Sequence, residues 1–489
     1  MSDDGRIRSI AVAGGGIVGL SAALAFARAL PEARVAVIDL PRDPAALADR
    51  MPGTLPSIHL FHRLIGVDEG ELVRNAQATH RIGLRFENWS ADGSPWLHGF
   101  GHHGTQMHSS PFPHQWLRAR KAGRALPYHL YAPVAAMGEA GKFVHPVQDQ
   151  RSLLASFQYA LRLDPEPYRA LLLRHAENAR VNVRAGNLGC VEPDGAGGAA
   201  ALLLADGTRV EADLFVDCAG PSAPILSALD ARFEDWGGFL PCDRVLLGER
   251  PEPHPGPVDT AWAVPSGWHW KAPLRSRTLV GAAFSSALSG EDEARETLGA
   301  DDAESLSIAC GRRPDAWVRN VVAFGDSAVS VDPLESTNLH LAQNAIARAV
   351  SLIPGRDFQP LLLREYNRRT RAETDRVRDF IALHYAGSPR RDGAFWKSME
   401  SRAKPESLAH TLEQFEGRGR LPKFEEETFS DDSWFAVLFG LGVEPRRIDP
   451  TVYRVPFEES VATMERVAQM SAALPADLPP YREYLARLG

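Results

Sequence analysis

Two stretches of this chain combine residue types at spacings that could do chemistry. The first is Asp332-Pro-Leu-Glu-Ser-Thr-Asn-Leu-His340. Ser336 and Thr337 are favoured helix N-cap types, and Leu339, Leu341, Ile346 and Val350 recur at helical spacing behind them. The first N–H groups of such a helix have no intrahelical acceptor and lie at its positive dipole end. The chemistry this predicts is the binding of a small anion. The second stretch is Gly14-Gly15-Gly16-Ile-Val-Gly19, a GxGxxG turn. Glycines there let a pyrophosphate approach the backbone, and an acid at the end of the next strand, Asp39, can bind a ribose hydroxyl. That chemistry is dinucleotide binding, and NAD and FAD share the device.

The elements that must position these groups are legible around them. Arg8–Ala13 reads as a buried strand, Leu20–Leu30 as a helix and Arg34–Leu40 as a second strand, which makes a β-α-β unit. Ala-Leu-Leu-Leu-Ala205 and the run from Arg209 to Gly220 read as a hairpin-like pair joined at Asp206-Gly207, behind a loop at Asp194–Ala200. Beyond about Pro354 the pattern turns helical and charged, with Arg364–Arg378 read as a solvated face. No internal repeat is present. The expected division is residues 1–355, with the dinucleotide site, and 356–489, a helical unit over the substrate.

Bulk properties exclude several classes. A chain of 489 residues with 44% hydrophobic and 24% charged residues can bury a large core as a soluble globular protein. A net charge of −8 argues against nucleic acid or an anionic membrane as partner. Cys190, Cys218, Cys242 and Cys310 are scattered without a CxxC pair, which suits a reducing compartment and gives no zinc site. The apolar run Ile10–Leu30 is interrupted by four glycines and follows an acidic Met-Ser-Asp-Asp-Gly, so it reads as neither signal nor membrane segment. The expected location is cytoplasmic. Six histidines crowd His98–His129, but none forms a helix-spaced pair with a carboxylate, and no metal is predicted.

Further motifs extend the pattern. They are Asp217-Cys-Ala-Gly220, Gly325-Asp326 and Gly267-Trp268-His-Trp270-Lys-Ala-Pro273, with Thr54-Leu-Pro-Ser-Ile58, Phe61-His-Arg-Leu-Ile-Gly66, Phe86-Glu-Asn-Trp89 and Arg378-Asp-Phe-Ile381. Together with the Asp332–His340 run, they make the chain similar to the flavin-dependent tryptophan halogenases over nearly its whole length. That resemblance implies an α/β FAD-binding fold of the flavin monooxygenase/halogenase type with a helix-rich C-terminal unit. It implies reduced FAD delivered by a separate NAD(P)H-dependent flavin reductase, chloride or bromide as co-substrate with O2, and an aromatic substrate of the indole or tryptophan type. A homodimer is left open.

Carried over by position, the family's active glutamate falls on Glu335, and its halide site falls on the backbone N–H groups of Thr337 and Asn338. Gly53, Leu188, Gly325, Asp326 and Leu339 fall on flavin contacts, beside Gly14, Gly16, Gly19 and Asp39. Trp268, Trp270 and Pro273 match a WxWxIP motif that is thought to suppress direct oxygen insertion; Ala272 replaces its isoleucine. The histidine-rich stretch corresponds to loops expected to line the substrate site.

Further positions depart from the family. Asn338 stands where glycine or serine is common, and Met51-Pro-Gly-Thr54 replaces Gly-Glu-Ala-Thr. In Thr79-His-Arg-Ile-Gly-Leu-Arg-Phe86, Arg81 stands where the family has its catalytic lysine, with His80 in the preceding aromatic slot. Buried lysine can lose its proton and form a haloamine, whereas arginine stays protonated and offers only its hydrogen-bonding fork. Six lysines stand against forty-eight arginines in the chain, so arginine has displaced lysine widely, this position included. The alternatives are therefore a flavin monooxygenase or oxidase, and a catalytically silent flavin- or ligand-binding homologue.

Overall fold

The computed structural model describes residues 5–108, 110–251 and 255–489, so the acidic residues 1–4 lie outside the described residues. The chain divides into two compact units that interleave along the sequence. The first comprises Met1–Ala78, Leu163–Gly237 and Leu306–Asp375; the second comprises Thr79–Arg162, Gly238–Ser305 and Arg376–Gly489.

The first unit is built on a six-stranded sheet. Its strands run in the order Trp317–Val318, Val321–Ala323, Leu214–Asp217, β1 (Ser9–Ala13), β2 (Arg34–Asp39) and Asn182–Ala185, all parallel except the first. β1 is almost wholly apolar and buried, as a strand covered on both faces must be. Helix α1 spans Ile17–Ala29 and so starts three residues before the sequence reading placed it, because Gly16 is its extended N-cap. The hairpin forms between Ala199–Leu204 and Arg209–Glu211. The chain then leaves it, and Leu214–Asp217 joins β1 as a parallel partner.

The predicted helix after Thr337 spans Asn338–Ser351. The expected side-chain cap is not made. Thr337 occupies the N-cap position with helical dihedrals (φ −89°, ψ −13°), where its hydroxyl cannot reach the next turn's N–H groups as an extended residue would.

In the second unit a mixed sheet carries Arg244–Arg250, Thr278–Phe284, Gly267–Pro273, Val258–Val264, Gly83–Glu87 and Trp96–Gly99 in that order. A short ladder pairs Thr79–Arg81 with Ala160–Arg162, and the helices Glu406–Arg418, Asp431–Gly440, Phe457–Ala473 and Tyr481–Leu488 are among those of this unit. The arginine-rich stretch of helix Pro360–Gly387 is not simply a solvated face. Glu373 is 3% exposed and accepts from Arg348 Nη2 at 2.8 Å. Arg376, also 3% exposed, pairs with Glu427 at 2.9 Å and lies over the Phe424 and Trp434 rings. Stacking and pairing let charges bury that a polarity reading assigns to solvent. Among the described residues, no helix is long and apolar enough to cross a membrane.

Candidate functional site

The glycine turn of the first unit is a tight cradle. Gly14 has φ +108°, and a Cβ there would run into the Cys218 carbonyl; one at Gly19 would run into the Gly14 carbonyl. Gly14 therefore requires glycine for its left-handed turn and for close packing, and Gly19, inside α1, for close packing alone. Asp39 ends β2, and its Oδ2 accepts from Arg169 Nη2 at 2.9 Å, while Arg169 Nε donates to the Gly15 carbonyl at 2.7 Å. Gly53 is buried beyond the turn, and Leu163 N donates to the neighbouring Pro52 carbonyl. Leu188 opens a strand of a separate three-stranded sheet and is half-buried.

Gly325-Asp326 lies against the same turn. Gly325 has φ +61°, and a Cβ there would stand 3.1 Å from Val18 of α1. Asp326 Oδ2 accepts from Ala48 N at 2.8 Å. Asp217, at the end of its strand, caps the helix Pro224–Leu229 through Ile225 N and Leu226 N. Ser327 Oγ ties it to the second motif by donating toward Asp217 at 3.1 Å.

Burial pushes the Asp326 carboxyl up to about 7, and the neighbouring Asp49 charge adds to the shift. Between its ordinary value and about 7, the folded protein holds a proton that the unfolded chain lacks, so this group's contribution to stability falls as pH rises through that window. Asp326→Asn keeps the acceptor for Ala48 N and removes the charge. Its melting midpoint is therefore expected above wild type at pH 8, with the difference closing by pH 5. Equal midpoints at pH 8 would show that Asp326 carries no such penalty.

The Asp332–His340 run makes an unusual turn. Glu335 (φ +64°) and Ser336 (φ +58°) are both left-handed, and Glu335 is 1% exposed. Two successive non-glycine residues in this region cost on the order of 1 kcal/mol or more each, and such strain gathers at functional sites. Asp332 Oδ1 accepts from Leu334 N at 3.0 Å, and Asn338 Nδ2 donates to the Val331 carbonyl at 2.9 Å, which closes the turn. Thr337 Oγ1 is buried without a hydrogen-bond partner among the described residues, at the start of the helix carrying the buried Leu339.

The second unit holds Arg81, which is fully buried. Its Nε lies 2.6 Å from Asp259 Oδ2, and its guanidinium lies 5.2 Å from the Phe100 ring centroid. Arg162, also fully buried, pairs with the other Asp259 oxygen and donates to the His80 and Gly256 carbonyls at 3.1 and 2.8 Å. The ladder that pairs Thr79 with Arg162 brings the two arginines to one carboxylate. His80 stacks on Phe143 with centroids 4.4 Å apart, so it fills the aromatic slot as a ring.

Trp268 and Trp270 are buried on one strand, 5.2 Å apart, followed by buried Pro273. Trp268 Nε1 donates to Tyr385 Oη at 2.8 Å. The Trp270 ring lies where a side chain at Gly281 would stand, so glycine at 281 makes room for it.

A family model described as tryptophan halogenase matches residues 9–456. The chain belongs to the tryptophan halogenase family. It is 34% identical to BrvH, a flavin-dependent halogenase from Brevundimonas sp. BAL3, with a TM-score of 0.93 over 99% of this chain and 100% of that one. A flavin-dependent halogenase from Xanthomonas campestris is 33% identical, with a TM-score of 0.92 over 99% and 98% of the two chains. Tryptophan 7-halogenase KtzQ of Kutzneria sp. (strain 744) is 28% identical over 99% of each chain.

The family is flavin-dependent, and the cradle's glycines, α1 N-terminus and Asp39 fit an FAD pyrophosphate and ribose. Sequence reasoning missed Asp49, Arg169, Arg162 and Asp259. For Asp259 a signal existed: it is the single charge in the otherwise uncharged strand Val258–Val264, and a lone buried acid needs a cation. The spacing of the other three carries no such cue. The histidine-rich stretch is aromatic packing in part. His103 stacks on Tyr128 at 4.8 Å, and burial lowers its imidazole to about 3. Among the described residues, no histidine from His98 to His129 joins a cluster of three possible metal ligands.

Proposed function

We propose that this chain is a reduced-FAD-dependent oxidoreductase of the halogenase type. It acts with O2 and chloride or bromide on an aromatic small molecule, the indole and tryptophan class first among the candidates. The observation that carries the reading is the buried turn at Glu335, with two left-handed residues and a Thr337 hydroxyl that has no partner among the described residues, at a helix N-terminus. An ordinary capped helix requires none of these features.

Bound reduced FAD supplies the electrons by which O2 oxidises halide. Gly14, Gly16 and Gly19 admit its pyrophosphate and Asp39 its ribose, with Arg169 countering charge; Gly53, Leu188, Gly325, Asp326 and Leu339 contribute the remaining flavin contacts. The N–H groups of Thr337 and Asn338 hold the halide, and Glu335 accepts a proton or hydrogen bond from the reacting arene. Trp268, Trp270 and Pro273 are the rigid element that disfavours direct oxygen insertion. Arg81 offers oxidised halogen only hydrogen bonds, so transfer to the arene is slow.

A second reading, oxidase or monooxygenase chemistry without halogen transfer, is favoured by one observation: Arg81 is held on Asp259. The halogenase reading needs a separate flavin reductase, because the GxGxxG turn at Gly14 is the single dinucleotide motif in the sequence. NADH alone is therefore expected to leave bound FAD oxidised in an anaerobic absorbance assay, and adding an NADH-dependent flavin reductase should bleach it. Rapid reduction by NADH alone would sink the two-component scheme.

A further inference from the structure

One carboxylate stands where the cofactor's own charge should go. Asp49 ends the short turn Leu47–Asp49, and its Oδ1 accepts from Val18 N at 2.8 Å, in the first turn of α1. Its other oxygen lies against Gly16, where an added Cβ would collide with it. That is the helix end at which a GxGxxG turn receives a pyrophosphate, and one set of N–H donors cannot serve two anions at once. Asp49 is half-buried as a residue.

We propose that Asp49 is an internal occupant of the phosphate position, so that FAD binds this chain with proton uptake at Asp49 and more tightly as pH falls. The proposal rests on the flavin reading above. Protonated, the carboxyl can donate to a phosphate oxygen; ionised, it competes for Val18 N and repels the incoming charge. Burial pushes it up to about 6, so modest acidity suffices.

The groups facing it are mixed. Arg42 and Arg169 attract its charge. The Asp326 carboxylate and the buried Cys218 thiol feel it as a like charge, and Asp39 lies across the same turn, against Gly15. A bound pyrophosphate adds two negative charges to this set, which raises the carboxyl further and couples binding to a proton.

The test titrates oxidised FAD into the full-length protein at pH 6, 7 and 8, followed by flavin fluorescence. Calorimetry in two buffers of different ionisation enthalpy counts the protons taken up. Wild type is expected to bind FAD about tenfold more tightly at pH 6 than at pH 8, which over two pH units corresponds to about half a proton taken up per FAD. Asp49→Asn should bind more tightly than wild type at pH 8 and lose most of the pH slope; any remaining slope belongs to Asp326. The wild-type proton count stands even where the variant fails to fold. FAD binding without proton uptake, or unchanged affinity in a folded Asp49→Asn protein, would overturn the proposal and leave the flavin reading intact. Failure of FAD to bind either protein at any of these pH values would overturn the flavin reading and this inference with it.

Discussion

Asp259→Ala is expected to destabilise the protein by about 3–5 kcal/mol, the usual cost of removing one partner from a buried ion pair. The carboxylate is 4% exposed and is shared by two guanidiniums, each fully buried. Removing it leaves two buried positive charges with no anion between them, a larger insult than deleting either arginine. Arg162 keeps its bonds to the His80 and Gly256 carbonyls, but these dipoles replace only part of a full charge. Asp259→Asn preserves an acceptor and should cost less. Eight of the ten tryptophans belong to the second unit, so their fluorescence during urea unfolding reports the relevant transition. A loss below about 1 kcal/mol would place the pair among solvent-relaxed surface bridges and remove the basis for treating Arg81 as locked.

The second large effect is catalytic. Arg81→Lys combined with Asp259→Asn is expected to brominate an indole about tenfold faster than wild type, a modest part of what a well-placed proton-transfer group contributes. Arg81→Lys alone should gain much less. A lysine introduced beside the Asp259 carboxylate is held in its charged form, and only the uncharged amine can form a haloamine. With asparagine at 259, burial and the adjacent Arg162 charge both favour the neutral amine. The gain stays modest because His80 and the Met51–Thr54 segment also depart from the family, and a reacting group without its supporting residues loses geometry. Glu335→Gln in the double variant should abolish the gain. Equal rates for the single and double variants would show that Asp259 does not hold the charge at position 81.

Much of the first unit was legible because its signals are local. The β-α-β unit is written in a buried strand, a glycine turn and an acid at a fixed distance; its bounds differ from the reading by one residue at most, except the start of α1, which comes three residues earlier. The run at Glu335 stood out by its composition, but its conformation was not legible. Ser336 and Thr337 have the composition of a cap, and only tertiary packing dictates that Glu335 and Ser336 turn left-handed and leave Thr337 uncapped. The Arg81–Asp259–Arg162 cluster and the Asp49–Val18 contact join residues 178 and 31 positions apart respectively, counting Arg81 to Asp259. No propensity or period records such pairings. Charge reading failed at Arg376 for the same reason, since Phe424, Glu427 and Trp434 are distant in sequence from the helix they cover.

The most direct test of the account is the mass of the product that wild-type protein makes from an indole substrate with FAD, NADH, a flavin reductase, O2 and bromide, read against the oxygen consumed. A monobrominated arene that depends on the reductase and on bromide, formed in clear deficit to the oxygen consumed, is the predicted result: halide oxidation proceeds while Arg81 transfers halogen poorly. A product heavier by one oxygen atom and lacking bromine would contradict the halogenase reading. Bromination that keeps pace with oxygen, and is lost on Arg81→Lys, would show instead that arginine itself is the competent group.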